Sequence, residues 1–120
     1  MEDLAVKRCI PCSKEMIPLS DKQENDLFNN LTGWMINRKK IHTIHKIYKC
    51  TDFMEAMVFV NRVAELSEDE GHHPDIYISY QYVTIALWTK KIFGLSENDF
   101  ILAAKIDLLF DALKHDQVIS

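Results

Sequence analysis

Three segments of helical periodicity, separated by two pairs of strand-length segments, leave this chain few architectures. Phe53, Ala56, Met57, Val60, Val63 and Ala64 recur at the spacing of one helix face. Further on, Val83, Ile85, Leu87 and Thr89 alternate with Thr84, Ala86, Trp88 and Lys90, the two-residue period of a strand. Helical spacing returns in Leu102, Ala103, Ile106, Leu109, Phe110 and Leu113. Upstream, Ser20-Asp21-Lys22-Gln23 has the pattern of a capping box, followed by the apolar Leu27, Phe28 and Leu31, with Gly33 placed to end that helix.

The remaining segments fit between these stripes. Trp34 to Asn37 reads as a short strand and Ile41 to Cys50 as a second. In the latter, Ile44, Tyr48 and Cys50 share a face that Lys46 interrupts. Thr51 is placed to cap the middle helix, which Glu68-Asp69-Glu70 and Gly71 close. Strands are expected over Asp75 to Tyr80 and Tyr82 to Thr89. Gly94 then breaks the chain, and Ser96 caps a last helix carrying Glu97 and Asp99 in its first turn. Each helix has one apolar side to hide. The order therefore predicts an α+β fold, a four-stranded antiparallel sheet with three helices packed on one face. We expect a single domain over residues 1–120, with residues 1–18 as an N-terminal arm. Tyr82 and Trp88, on the other sheet face, suggest further burial in an oligomer.

Composition removes several function classes. The formal net charge of −4 opposes a nucleic-acid binder, and the short run Arg38-Lys39-Lys40 reads as a solvated turn. Apolar runs such as Met57-Val58-Phe59-Val60 are far short of a membrane span. No secretory signal is legible in Met1 to Arg8, so a cytoplasmic location is expected. The three cysteines, Cys9, Cys12 and Cys50, do not suggest a disulfide framework. Cys9-Ile10-Pro11-Cys12 has redox or half-zinc-site spacing, but no second such pair completes a zinc site.

The densest chemical signal is Glu68-x-x-x-His72-His73-Pro74. Neighbouring histidines in extended chain point to opposite sides, so they rarely share a metal. Pro74 stiffens the segment and biases His73 away from helical backbone. Imidazoles after an acidic helix end make an acid/base site, or simply two surface histidines in a turn. His42, His45 and His115 have no partner at readable spacing and read as structural or exposed.

Glu68, His72, His73, Pro74, Tyr80, Gly94, Leu95 and Asp99 also fall at the spacing of a family signature. The chain resembles the pterin-4a-carbinolamine dehydratases. Asp52-Phe53, Phe59-Val60-Asn61-Arg62-Val63-Ala64 and Phe100 to Ile106 are similar to bacterial members, as is Gly33-Trp34. The similarity runs from about Cys9 to about Leu113.

The resemblance implies dehydration of a 4a-hydroxytetrahydropterin to quinonoid dihydropterin, in the recycling of tetrahydropterin used by aromatic amino acid hydroxylases. No metal or redox cofactor is implied. It implies a homodimer or homotetramer. His72, His73 and the residue at position 90 would be catalytic. Trp34, Glu68, Pro74, Thr89 and Asp99 would bind substrate. Their plainer readings are a solvated Glu68, a first-turn helix charge at Asp99 and a core Trp34. The family carries a histidine ten residues after the tyrosine, where this chain has Lys90. An ammonium has three donors and no acceptor, and it accepts a proton only once burial or nearby positive charge has displaced its own. Reduced or altered activity is the expectation, unless Lys90 simply points to solvent beside Lys91. A regulatory pterin-binding protein is the alternative function, since relatives serve as dimerisation cofactors for a homeodomain transcription factor. A zinc protein using Cys9, Cys12 and a histidine is another.

Overall fold

In the computed structural model, residues 3–119 are described, with side chains as far as His115. Met1 and Glu2 of the expected arm, and Ser120, lie outside the described residues. The order is α1 (Asp21–Phe28), β1 (Met35–Asn37), β2 (Thr43–Lys49), α2 (Phe53–Glu70), β3 (Asp75–Ser79), β4 (Tyr82–Leu87) and α3 (Glu97–Ile119). Short 3-10 turns occupy Leu4–Val6 and Lys90–Ile92. The four strands form one antiparallel sheet in the order β1-β2-β4-β3. This is the α+β architecture that the periodicity predicts.

Alternation in β4 sends Val83, Ile85 and Leu87 into the core without exposure, opposite Tyr48, Lys46 and Ile44 of β2. Ala56, Phe59 and Val63 of α2, and Phe100, Leu102 and Ile106 of α3, complete that core. Helix α2 packs on α3 and on β4, and α1 packs on α3. The Leu4–Val6 turn also lies on α3 and buries Leu4.

Lys46 breaks the β2 pattern because α3 supplies its counter-ion. Its Nζ lies 2.9 Å from Asp107 Oδ1 and donates to the Thr32 carbonyl at 3.0 Å. The same carboxylate accepts the Tyr48 hydroxyl and, at 3.0 Å, the Trp34 indole N–H. Around it, the Tyr48 ring packs 4.8 Å from Phe59 and 4.9 Å from Phe110. Burial, then the charge of Asp107, push the Tyr48 hydroxyl pKa well above its ordinary range.

The strands β1, β2 and β3 are a residue or two shorter than expected at one or both ends, and three further boundaries differ for a visible reason. Helix α1 ends at Phe28 rather than near Gly33, because the Asn30 side chain donates to the carbonyls of Asp26 and Leu27 and closes the last turn early. Asp52, not Thr51, caps α2: its carboxylate accepts the Glu55 N–H at 2.8 Å, while the Thr51 N–H turns to the Glu55 side chain. Strand β4 stops at Leu87. Thr89 instead bridges to Gly94, with the Lys90–Ile92 turn between them.

Candidate active site

The candidate site begins where helix α2 ends. Gly71 adopts the left-handed conformation, φ 67°, that closes a helix, and its N–H returns to the Ser67 carbonyl. The chain leaves through His72, His73 and Pro74, outside any helix or strand, into β3. One imidazole turns inward and the other outward.

His72 is buried, and its Nε2 lies 2.6 Å from Asp99 Oδ1. Asp99 sits in the first turn of α3 at 0% exposure. Its other oxygen accepts the Thr89 hydroxyl at 2.8 Å and the Ser96 N–H at 3.0 Å. Ser96 and Thr89 hydroxyls also meet at 2.7 Å. A carboxylate has only acceptors to offer, so Nε2 of His72 carries the hydrogen, and in the neutral ring Nδ1 then keeps its lone pair. The helix N-terminus favours the negative charge placed there.

His73 is 62% exposed at its side chain, and its Nε2 pairs with Glu68 on the last turns of α2. The two histidines thus hold separate carboxylates in opposite surroundings, one dry and one wet. Both line a cleft of about 460 Å³ with Pro74, Thr89, Trp88 and Lys90. Asp75 on its wall accepts the Trp88 indole N–H at 3.2 Å and lies 3.4 Å from the Lys90 ammonium. That ammonium also sits 4.7 Å from the centre of the Trp88 ring. Lys90 therefore lines the cleft with its ammonium near Asp75 and Trp88, while its side chain stays 46% exposed.

Of the residues singled out in the sequence, His72, His73, Pro74, Thr89 and Lys90 line this cleft. Asp99 stands behind His72, and Glu68 reaches the cleft through His73. Trp34 does not line it. At 4% exposure it belongs to the core, its indole N–H spent on Asp107. Asp75, Trp88 and Cys12 line the cleft without having been chosen. For Trp88 a signal existed, since alternation already puts it on the Lys90 side of the strand. For Cys12, nothing local in sequence connects it to His72.

Cys9 and Cys12 do not join a histidine as a set with ligand spacing among the described residues; Asp21, Glu24 and His42 do. There the Arg38 guanidinium already lies 2.8 Å from Glu24 and His42 2.8 Å from its other oxygen, so the cluster carries its own cation.

The family model described as Pterin 4 alpha carbinolamine dehydratase matches residues 17–109. The chain belongs to that family. A Rickettsia bellii protein (strain OSU 85-389) provisionally named pterin-4-alpha-carbinolamine dehydratase is 46% identical over 107 residues, covering 88% of this chain and 93% of its own. Pterin-4-alpha-carbinolamine dehydratase 2, mitochondrial, of Arabidopsis thaliana is 38% identical, over 91% of this chain and 60% of its own length. Among solved structures, the transcriptional coactivator/pterin dehydratase of Brucella melitensis superposes with a TM-score of 0.72 at 27% identity, covering 77% of this chain and 97% of that one.

Proposed function

We propose that this member of the family dehydrates a 4a-hydroxytetrahydropterin to quinonoid dihydropterin in tetrahydropterin recycling. The observation that carries this reading is the convergence of two differently housed imidazoles on one cleft beside an indole face. The reaction breaks the C4a–O bond, releases water and removes a proton from a ring nitrogen. It needs one group to protonate the departing hydroxyl and one to take the ring proton. His73, exposed and backed by Glu68, is the group free to exchange protons with substrate and solvent. His72, fixed by Asp99, presents Nδ1 as a hydrogen-bond acceptor. Trp88 offers a flat apolar surface for a bicyclic ring. Lys90 donates to the departing oxygen and does not act as the base, since its ammonium is held by Asp75 and the indole.

A synthetic 4a-carbinolamine tests this reading. Dehydration accelerated by the wild type and much reduced in His73→Ala supports it. Pterin binding without turnover supports the second reading, a regulatory pterin-binding protein, which the lysine at position 90 favours and which fits the coactivator half of the Brucella protein's name. With either reading we propose a homodimer or homotetramer, a cytoplasmic location and, for the enzyme, service to an aromatic amino acid hydroxylase. Residues 1–120 would act as one domain. No helix among the described residues is long and apolar enough to cross a membrane.

A further inference from the structure

The Cys9-Ile10-Pro11-Cys12 motif has no part in the dehydratase reading, yet the fold brings it to the cleft. Asn98, 2% exposed in the first turn of α3, grips the segment. Its Oδ1 accepts the Ile10 N–H at 2.9 Å, and its Nδ2 donates to the Ile10 carbonyl at 2.7 Å and to Cys12 Sγ at 3.6 Å. Lys91 Nζ donates to the Cys12 carbonyl at 3.2 Å, and the Cys9 N–H donates to Glu70 Oε1 at 2.8 Å. So fastened, the Cys12 thiol lies 3.8 Å from Nδ1 of His72. Asp99, the next residue after Asn98, holds the other ring nitrogen. One helix turn therefore places the partners of both nitrogens of a single imidazole.

We propose that Cys12 is a positioning residue for His72. The polarity of the chain of contacts is consistent from end to end. The Asn98 amide donates to sulfur. The thiol donates to the lone pair of Nδ1, and Nε2–H donates to the Asp99 carboxylate. Asp99 fixes which nitrogen carries hydrogen, and Cys12 fixes the angle at which the ring faces the cleft. A ring anchored at one nitrogen can still swing about that contact, whereas a ring held at both cannot. The kinetic consequence rests on the dehydratase reading; the contact itself does not.

The test uses the full chain with 15N-labelled histidine, as wild type, Cys12→Ala and Cys12→Ser, with dehydration kinetics on the same samples. In Cys12→Ala the Nδ1 resonance of His72 should move while its Nε2 partner stays, and kcat should fall about fivefold, the loss of one modest hydrogen bond. KM should change less than kcat, because the contact acts through the orientation of the imidazole. A hydroxyl can donate likewise but reaches less far across a 3.8 Å contact, so Cys12→Ser should recover both signals in part. An unmoved Nδ1 resonance in Cys12→Ala would overturn the contact, and a moved resonance with unchanged kcat would overturn the positioning role. If the wild type shows no turnover, the dehydratase reading falls and the Nδ1 resonance alone decides whether Cys12 holds the ring.

Discussion

Replacing Asp99 by Asn keeps the volume of the side chain and exchanges one acceptor oxygen for a donating amide. In the wild type the two oxygens accept from three donors, the His72 ring, the Thr89 hydroxyl and the Ser96 N–H, at 2.6, 2.8 and 3.0 Å. No orientation of an amide satisfies all three while Nε2 of His72 carries the hydrogen. Turned one way, its NH2 faces the imidazole N–H; turned the other, it faces the Ser96 N–H and the Thr89 hydroxyl. Thr89 can rotate its hydrogen to Ser96, but the backbone N–H keeps its partner only if the ring moves its hydrogen from Nε2 to Nδ1, towards the Cys12 sulfur, and accepts the amide in place of donating to a carboxylate. A buried donor left without a partner costs roughly 1–3 kcal/mol, and the charge-assisted bond that disappears contributed about as much. With Asp99 at 0% exposure, water cannot substitute. Allowing for relaxation of the imidazole, we expect a loss of about 3 kcal/mol, or roughly 10 °C in Tm for a domain of this size. Calorimetry at matched pH measures it. A double-mutant cycle with His72→Ala should return a coupling of at least about 1 kcal/mol. A Tm within about 2 °C of wild type would refute the claim that this carboxylate is saturated by buried donors.

Three other outcomes follow from the same contacts. Lys90→His should raise the dehydration rate about tenfold or more, because an imidazole both gives and takes protons; unchanged kinetics would remove position 90 from the chemistry. Burial alone would raise the Glu70 carboxyl, but the Cys9 N–H and the cations Lys105 and Arg8 outweigh it and hold its pKa below the usual value. Its contribution is therefore present above the unfolded-state value near 4.3 and lost as pH falls through the lower folded value. Stability curves of Glu70→Gln and wild type should accordingly converge in acid and separate toward neutrality, and parallel curves would contradict the assignment. Burial, followed by the charge of Glu70, pushes the Cys9 thiol up to about 12, so it stays protonated at pH 8. Iodoacetamide should label Cys9 far more slowly in the folded chain than in denaturant, as peptide mass mapping would show.

The sheet was readable because its strands alternate cleanly where they are buried, as Val83, Ile85 and Leu87 do. The helix stripes set their packing side for the same reason. Lys46 shows the limit of such reading: whether it is an error in the pattern or an inward cation depends on Asp107, sixty-one positions away. Trp34 and Trp88 show it again. Both are large aromatics; alternation puts Trp88 on the Lys90 side, but only the fold sends Trp34 to the core and forms the cleft beside Trp88. His72, His73 and Asp99 carried a local pattern and a known spacing. The Cys12 contact joins residues 60 apart through Asn98, and no periodicity encodes it. Helix ends moved by a few residues where side chains such as Asn30 and Asp52 took backbone partners that neighbouring residues could equally have taken.

Stopped-flow absorbance of a freshly generated 4a-hydroxytetrahydropterin bears most directly on the claim that paired imidazoles at this cleft move the protons. With wild type, loss of the hydroxyl adduct should outrun the spontaneous rate by orders of magnitude, and His73→Ala should forfeit about a hundredfold or more of that gain. A wild-type rate equal to the spontaneous one, or a His73→Ala rate equal to wild type, would contradict it.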